Sequence, residues 1–362
     1  MFNLIILSKM KRIALCLPLI IPVCGLVLTL MAGCGHKNAA NVILTVQEPG
    51  DKVFPINDYF EVDKQVYVKA HDSYLLSDIN SVYATDKFIY TLDASHRLSK
   101  IDAASGEIVK QFCQLGRGPH DYIFPIGLTG DDEHLYVLDL MGKDIHIFDF
   151  DLTHQRKFSI AQLSVTSSIH KTKDGFIFFN SIENDSIGKF VITDNEGRIT
   201  NTFLKLQQNL PETDGPILMT IHTQSLFVPG SDGNILCFDP DGGDAYLYDG
   251  KDLNKLFHVS QNNTFTDMPN NPAQYIKQLF YINGNYVVSY SYSFDESDYA
   301  YFDKDLNLIA DGVNATSHDE APFSPVCQSG DRLITAITTD DTPSAVLPGL
   351  SIQAQIIFHR TK

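Results

Sequence analysis

From about residue 60 onward, apolar runs of four to seven residues alternate with short polar stretches rich in Gly, Asp and Asn. Examples are Phe88-Ile89-Tyr90-Thr91-Leu92, Leu135-Tyr136-Val137-Leu138, Phe176-Ile177-Phe178-Phe179 and Tyr286-Val287-Val288-Ser289-Tyr290. Aromatic and β-branched residues dominate these runs, and turn formers flank them. The pattern predicts short strands joined by hairpins. No long segment of helical period follows residue 60. Asn271–Gln278 is a weak helical segment.

The strands repeat. Tyr90-Thr91-Leu92-Asp93 recurs as Tyr136-Val137-Leu138-Asp139. An apolar strand ending in Asp follows each, and the ends fall at Asp102, Asp149, Asp194, Asp249 and Asp303. Phe238-Asp239 competes for the fourth end, but Asp249 spaces the series more evenly. Ile357-Phe358-His359 is a sixth counterpart. A period of about 45 to 56 residues with four strands per unit predicts an all-β fold, a six-bladed β-propeller of four-stranded antiparallel blades. The expected blades are 79–113, 123–160, 165–206, 217–260, 275–310 and 321–360. The last stops at its third strand, and the strand-like segment 62–69 is expected to supply the fourth, closing the ring and covering open edges. The repeated Asp is read as structural: its carboxylate can accept backbone N–H groups two residues on.

The N-terminus reads as an address. Lys11-Arg12, the apolar Ile13–Met31 and Ala32-Gly33 before Cys34 have the order of a secretory signal. Ala32-Gly33-Cys34 resembles a bacterial lipobox, with Met31 where Leu is usual, so Cys34 is the expected lipidation site. Met10 is an alternative start to Met1. The expected organisation is a signal peptide over 1–33, a tether and extension over 34–61, and the propeller over 62–362. No acidic run follows Cys34, so a periplasm-facing anchor is favoured over cell-surface display. Past residue 33 there are 24 Lys and Arg against 44 Asp and Glu, a net charge of −20. Such a body repels phosphate backbones, which excludes general nucleic-acid binding. The 23 Phe and 16 Tyr exclude a disordered chain. Cys113, Cys237 and Cys327 lie among strand-like residues and are expected to be buried thiols.

Residues 116–122 read Gly-Arg-Gly-Pro-His-Asp-Tyr. With the Leu-Tyr-Val-Leu-Asp and Ile-His-Ile-Phe-Asp strands after it, this stretch resembles the NHL-type repeat. It resembles still more the TolB-like six-bladed propeller lipoproteins of Gram-negative bacteria, which carry a Gly-x-Gly-Pro-Gly-Glu-aromatic loop. Gly116, Gly118, Pro119 and Tyr122 match that loop, while His120 and Asp121 replace Gly and Glu. The resemblance implies a fold and a cell-envelope location more than an activity.

That loop links one blade to the next, so it is the first place to look for a ligand. Gly116, Arg117, Gly118, His120, Asp121 and Tyr122 form the expected ligand-binding loop at the channel mouth. Arg117 is suited to a carboxylate or phosphate, and His120 to proton exchange. The alternative is a strut in which Arg117 pairs with an acid such as Asp121. Asp239-Pro-Asp241-Gly-Gly-Asp244 and Asp303-Lys-Asp305-Leu-Asn307 are fragments of a calcium loop without its distal Glu, so no cofactor is expected and Ca²⁺ is a minor alternative. Several of the twelve His, among them His71, His96, His120, His134, His146, His154 and His170, could converge on the axis. The Tyr-rich fifth blade is read as packing between blades.

Two functions compete. The first is a non-catalytic binding or scaffold propeller, monomeric, for a protein, peptide or glycan partner. The second is a propeller lyase or hydrolase with His and carboxylates at the channel. No local catalytic motif supports the second, so binding is favoured.

Overall fold

The computed structural model describes residues 42–46, 52–163, 165–182, 187–204, 226–230, 232–240, 242–261, 276–290, 297–314, 323–338 and 351–362. Cys34 lies outside the described residues. Three elements precede the first blade: β1 (Ile43–Val46), a helical turn α1 (Ile56–Tyr59) and β2 (Phe60–Lys69). Blade 1 contains β3 (Ile79–Ala84), β4 (Phe88–Asp93), β5 (Leu98–Asp102) and β6 (Ile108–Phe112). Blade 2 contains β7 (Pro125–Gly130), β8 (Leu135–Asp139), β9 (Asp144–Phe148) and β10 (His154–Ser159). Blade 3 contains β11 (Val165–Lys171), β12 (Gly175–Ile182), β13 (Phe190–Asp194) and β14 (Ile199–Phe203). Blade 4 contains β15 (Phe227–Pro229), β16 (Ile235–Asp239), β17 (Asp244–Tyr248) and β18 (Leu253–Gln261). Blade 5 contains β19 (Ile276–Ile282), β20 (Asn285–Tyr290), β21 (Asp298–Phe302) and β22 (Leu308–Val313). Blade 6 contains β23 (Pro325–Ser329), β24 (Arg332–Thr338) and β25 (Ile352–Thr361), and β2 is its fourth strand.

This is the expected six-bladed propeller. β2 pairs antiparallel with β25 from Phe60–Thr361 to Lys69–Ile352, so the N-terminal strand closes the last blade. The middle strands are buried on both faces, as in β8, where all five residues are buried. Blades stack on blades, which is why these strands read as continuous apolar runs rather than strict alternation. Outermost strands such as β14 are largely exposed.

The repeated Asp residues close the hairpins between third and fourth strands. Asp102 Oδ1 accepts the N–H of Ala104 (3.1 Å) and Ser105 (2.7 Å). Asp149, Asp194, Asp249 and Asp303 each accept two N–H groups in the same way. Asp249 therefore ends the third strand of blade 4, and Asp239 ends its second. These bonds pull the carboxyl pKa down at Asp102 and Asp249; at Asp303 the Asn307 side-chain amide leads and the N–H groups add to it; at Asp194, desolvation raises it, but bonds from Arg198 and the N–H of Glu196 outweigh that.

Three features differ from the sequence reading. Blade 4 carries a fifth strand, because β1 adds in parallel to β18, pairing Leu44 with Val259. Ile276–Gln278 belongs to β19 rather than to a helix, and Asn271–Tyr275 lies outside the described residues. Cys113 is exposed, since it follows the outermost strand of blade 1, whereas Cys237 and Cys327 are buried. The blade 5 tyrosines pack between blades: Tyr286 meets Phe257 of blade 4, and Tyr299 meets Phe54 and Phe323.

Candidate functional site

In every blade the first strand is innermost, so its direction sets two faces. The links between blades and the turns between second and third strands lie on one, the linker face. The remaining turns lie on the other, the hairpin face. The C-terminal halves of β3, β7, β11 and β23, with β15, line a central cavity of about 310 Å³ towards the hairpin face. Tyr83, Thr129, Asp131, His170, Lys171 and Gln328 give it its polar character.

These groups are held by one another. Asp131 accepts the Tyr136 hydroxyl (2.7 Å) and the N–H groups of Glu133 (2.9 Å) and His134 (2.8 Å). Burial pushes its carboxyl pKa up, but these bonds and Lys171 outweigh burial, and the net shift is downward. Lys171 Nζ donates to the Thr172 carbonyl (2.6 Å), stands 3.8 Å from Asp131 and lies over the Tyr136 and Phe176 rings. Its ammonium pKa is lowered by desolvation, against the pull of Asp131 and Asp174. His170 keeps some surface towards the cavity but is enclosed by protein, and desolvation with Lys171 beside it lowers its pKa to about 4. Burial raises the Cys327 thiol to about 12, and its Sγ donates to the Val82 carbonyl. Near pH 7 the cavity therefore offers a neutral imidazole, a protonated thiol and an internally bonded carboxylate and ammonium.

The loop Gly116–Tyr122 links blades 1 and 2 on the linker face, and none of its residues lines the cavity. It is internally braced. Asp121 Oδ2 accepts the Gly118 N–H (2.9 Å), and the Gly116 N–H donates to the Tyr122 carbonyl (3.1 Å). A Cβ on Gly116 would lie 2.4 Å from Asp121 Oδ2, so a side chain there would push the Asp121 carboxylate from its place. Tyr122 is fully buried, and its hydroxyl donates to the His96 carbonyl (2.7 Å). Arg117 and His120 are exposed, and Arg117 has no ion pair among the described residues.

His120 opens a chain of imidazoles. Its Nδ1 is 3.0 Å from His154 Nδ1, and His154 Nε2 is 3.1 Å from His146 Nδ1. His146 is buried, with Nε2 3.8 Å from Asp139 Oδ2, too long for a hydrogen bond. The chain runs from β9 through the start of β10 to the link from blade 1, at the seam between the two blades, not to the axis. Of the remaining described histidines, His170 alone lines the central cavity. His71 accepts the Ser73 N–H, and His134 stands 3.9 Å from Glu133. The sequence shows His146 two residues before Phe148 on one face of β9, but no local signal joins it to His154 or His120.

No group of three or more His, Cys, Asp or Glu is arranged to hold a metal among the described residues. Asp239 pairs with Lys189 (2.7 Å), and Asp244 with Lys255 (2.7 Å) and His258 (2.8 Å). Asp241 lies outside the described residues. Asp303 is occupied by its hairpin turn.

A family profile described as a six-bladed β-propeller, DUF5128, matches residues 35–229, more than half of the chain. The chain belongs to the DUF5128 family. No curated protein matches it. Similar solved structures include a Bacteroides fragilis protein inferred to be exported, at 16% identity and a TM-score of 0.66 over 89% of this chain and 100% of that one. A DUF4221 member from Bacteroides vulgatus is 10% identical, with a TM-score of 0.49 over 84% and 98%. Virginiamycin B lyase from Staphylococcus aureus is 10% identical, with a TM-score of 0.44 over 83% and 99%. At these identities the likeness to the first is one of fold alone.

Proposed function

We propose that this DUF5128 propeller is a cell-envelope lipoprotein, anchored through Cys34 and facing the periplasm, that binds a protein, peptide or glycan partner without catalysing a reaction. The signal-like segment and Ala32-Gly33-Cys34 support the address. Among the described residues no helix is long and apolar enough to cross a membrane. The TolB-like resemblance of the 116–122 loop supports the same setting. A monomer without a resident metal is the form proposed.

The observation that carries the binding reading is the state of the cavity's titratable groups. A nucleophile needs a base within reach and a pKa suited to its task. Here Cys327 is protonated and bonded to backbone, His170 is neutral, and Asp131 and Lys171 are engaged with their neighbours. Tyr83 and Phe227, from different blades, add aromatic surface to the cavity lining. The result is a polar and aromatic recess of the kind that orients a ligand. The loop Gly116–Tyr122, with Arg117 foremost, is the second proposed contact surface, on the opposite face.

The test is a binding and turnover comparison. Peptidoglycan fragments, oligosaccharides and periplasmic peptides should raise the melting temperature of the protein, and Lys171→Met should weaken that rise. Hydrolase or lyase turnover abolished by His170→Ala would replace the binding reading with the enzymatic one.

A further inference from the structure

The three imidazoles of the blade 1–2 seam have one favoured order of protons. Each nitrogen-to-nitrogen contact between neutral rings needs one donor and one acceptor. Asp139 is ionised, and the His146 nitrogen that faces it is Nε2, at 3.8 Å. A lone pair facing that anion would be repelled, so His146 carries its proton on Nε2. His146 Nδ1 then accepts from His154 Nε2–H, and His154 Nδ1 accepts from His120 Nδ1–H, across contacts of 3.1 and 3.0 Å. The lone pair left over is His120 Nε2, on an exposed side chain.

The same loop sorts its charges. Its acid, Asp121, is turned inward onto the Gly118 N–H. Its cation, Arg117, is exposed and without an ion pair among the described residues. In a body of net charge −20, an exposed guanidinium and an exposed imidazole three residues apart on one short loop offer an anion two groups to meet.

We propose that Arg117 and His120 form a binding site for a small oxyanion, a phosphate, sulfate or carboxylate group, and that binding is coupled to uptake of one proton at His120 Nε2. This rests on the reading of the 116–122 loop as a ligand surface and is independent of the central cavity. The proton comes from solvent and adds to the free lone pair, so no bond breaks. The charge it creates is stabilised by the anion, by the His154 lone pair and, through His146, by Asp139. The titratable and charged groups along the chain are Asp139 and Tyr122 at His146 and Lys157 near His154, while Arg117 and Asp121 sit on the same loop as His120. Desolvation, then His146, His120 and Lys157, lowers the His154 pKa to about 4, so the added proton does not lodge there.

The experiment is a sulfate titration of the full protein at pH 6 and pH 8, followed by calorimetry and by histidine ¹H–¹⁵N spectra. Sulfate keeps its charge across this range. Binding should be about fivefold tighter at pH 6, the scale of one exposed ion pair. Arg117→Gln should abolish it, and His120→Gln should leave weak binding without pH dependence. Both residues are exposed, and unchanged melting confirms that the variants fold. The spectra at pH 8 should show His154 protonated on Nε2 and His120 on Nδ1. Unchanged binding in Arg117→Gln would overturn the loop as a ligand surface. Equal affinity at both pH values, or His154 protonated on Nδ1, would overturn the proton coupling alone. Phosphatidylglycerol vesicles that displace sulfate identify a lipid headgroup as the natural source, and vesicles that do not identify a soluble oxyanion.

Discussion

Asp139 shows how much one carboxylate does in this fold. Its oxygens accept the N–H groups of Ile123 (2.7 Å), Phe124 (2.8 Å) and Gly142 (3.0 Å), so it ties the second strand of blade 2 to the link from blade 1. Asp93 does the same in blade 1 through the Ser77 N–H. Burial raises the Asp139 pKa, but His146 and the three N–H groups outweigh burial and bring it to about 2. A depressed carboxyl pKa stabilises the fold above the unfolded value and loses that contribution as pH falls through the folded one. Asp139 should therefore contribute about 2 kcal/mol at neutral pH, lost between roughly pH 4 and pH 2. Asp139→Asn should cost a similar amount in urea unfolding at pH 7, and the gap to wild type should close in that acid window. A gap that stays constant down to pH 2 would contradict the assignment.

At the scale of elements, the segment from β1 to β2 acts as a strap. β1 pairs with blade 4, Phe54 N–H donates to the Val313 carbonyl of blade 5 (2.9 Å), and β2 completes blade 6. Phe54, Ile56 and Phe60 join a buried cluster with Phe280, Tyr299 and Phe323. Gly312 makes the contact possible, because a Cβ there would lie 2.3 Å from Phe54 N. Phe54→Ala should destabilise by about 3–5 kcal/mol through the cavity it leaves. Gly312→Val should also destabilise by displacing the strap. Since both act on one contact, the double variant should lose less than the sum of the two, measured by denaturant unfolding. Full additivity would mean that the strap does not seat on Gly312.

For the whole molecule, ring closure depends on β2. Val66 and Val68 are buried in the cluster shared by blades 6 and 1. Lys69 N–H also donates to the Gly106 carbonyl of blade 1 (2.9 Å), so the closing strand touches both sides of the joint. Val68→Asp places an unpaired charge there and should cost more than about 4 kcal/mol. Hydrogen exchange should then accelerate in β23–β25 and β3 together. Acceleration confined to β2 would show that the ring holds without its closure.

The chain itself determined the blades, their number and the closure. Strand patterning and Asp turns are local: an apolar run and a carboxylate two to four residues from the N–H groups it accepts are both visible in a short window. The spacing of those turns then counts the units, and a final unit one strand short calls for a partner from the other end. The central cavity, the parallel docking of β1 on β18 and the His120–His154–His146 chain were decided only in three dimensions. Leu44 and Val259 are remote in sequence, and the His120–His154 contact forms only when the link from blade 1 is set against the outer strand of blade 2. No local period encodes such contacts, because they depend on how whole blades are seated. Burial works the same way: His170 and Lys171 read as ordinary polar residues near a strand end until the closed ring withdraws them part-way from water.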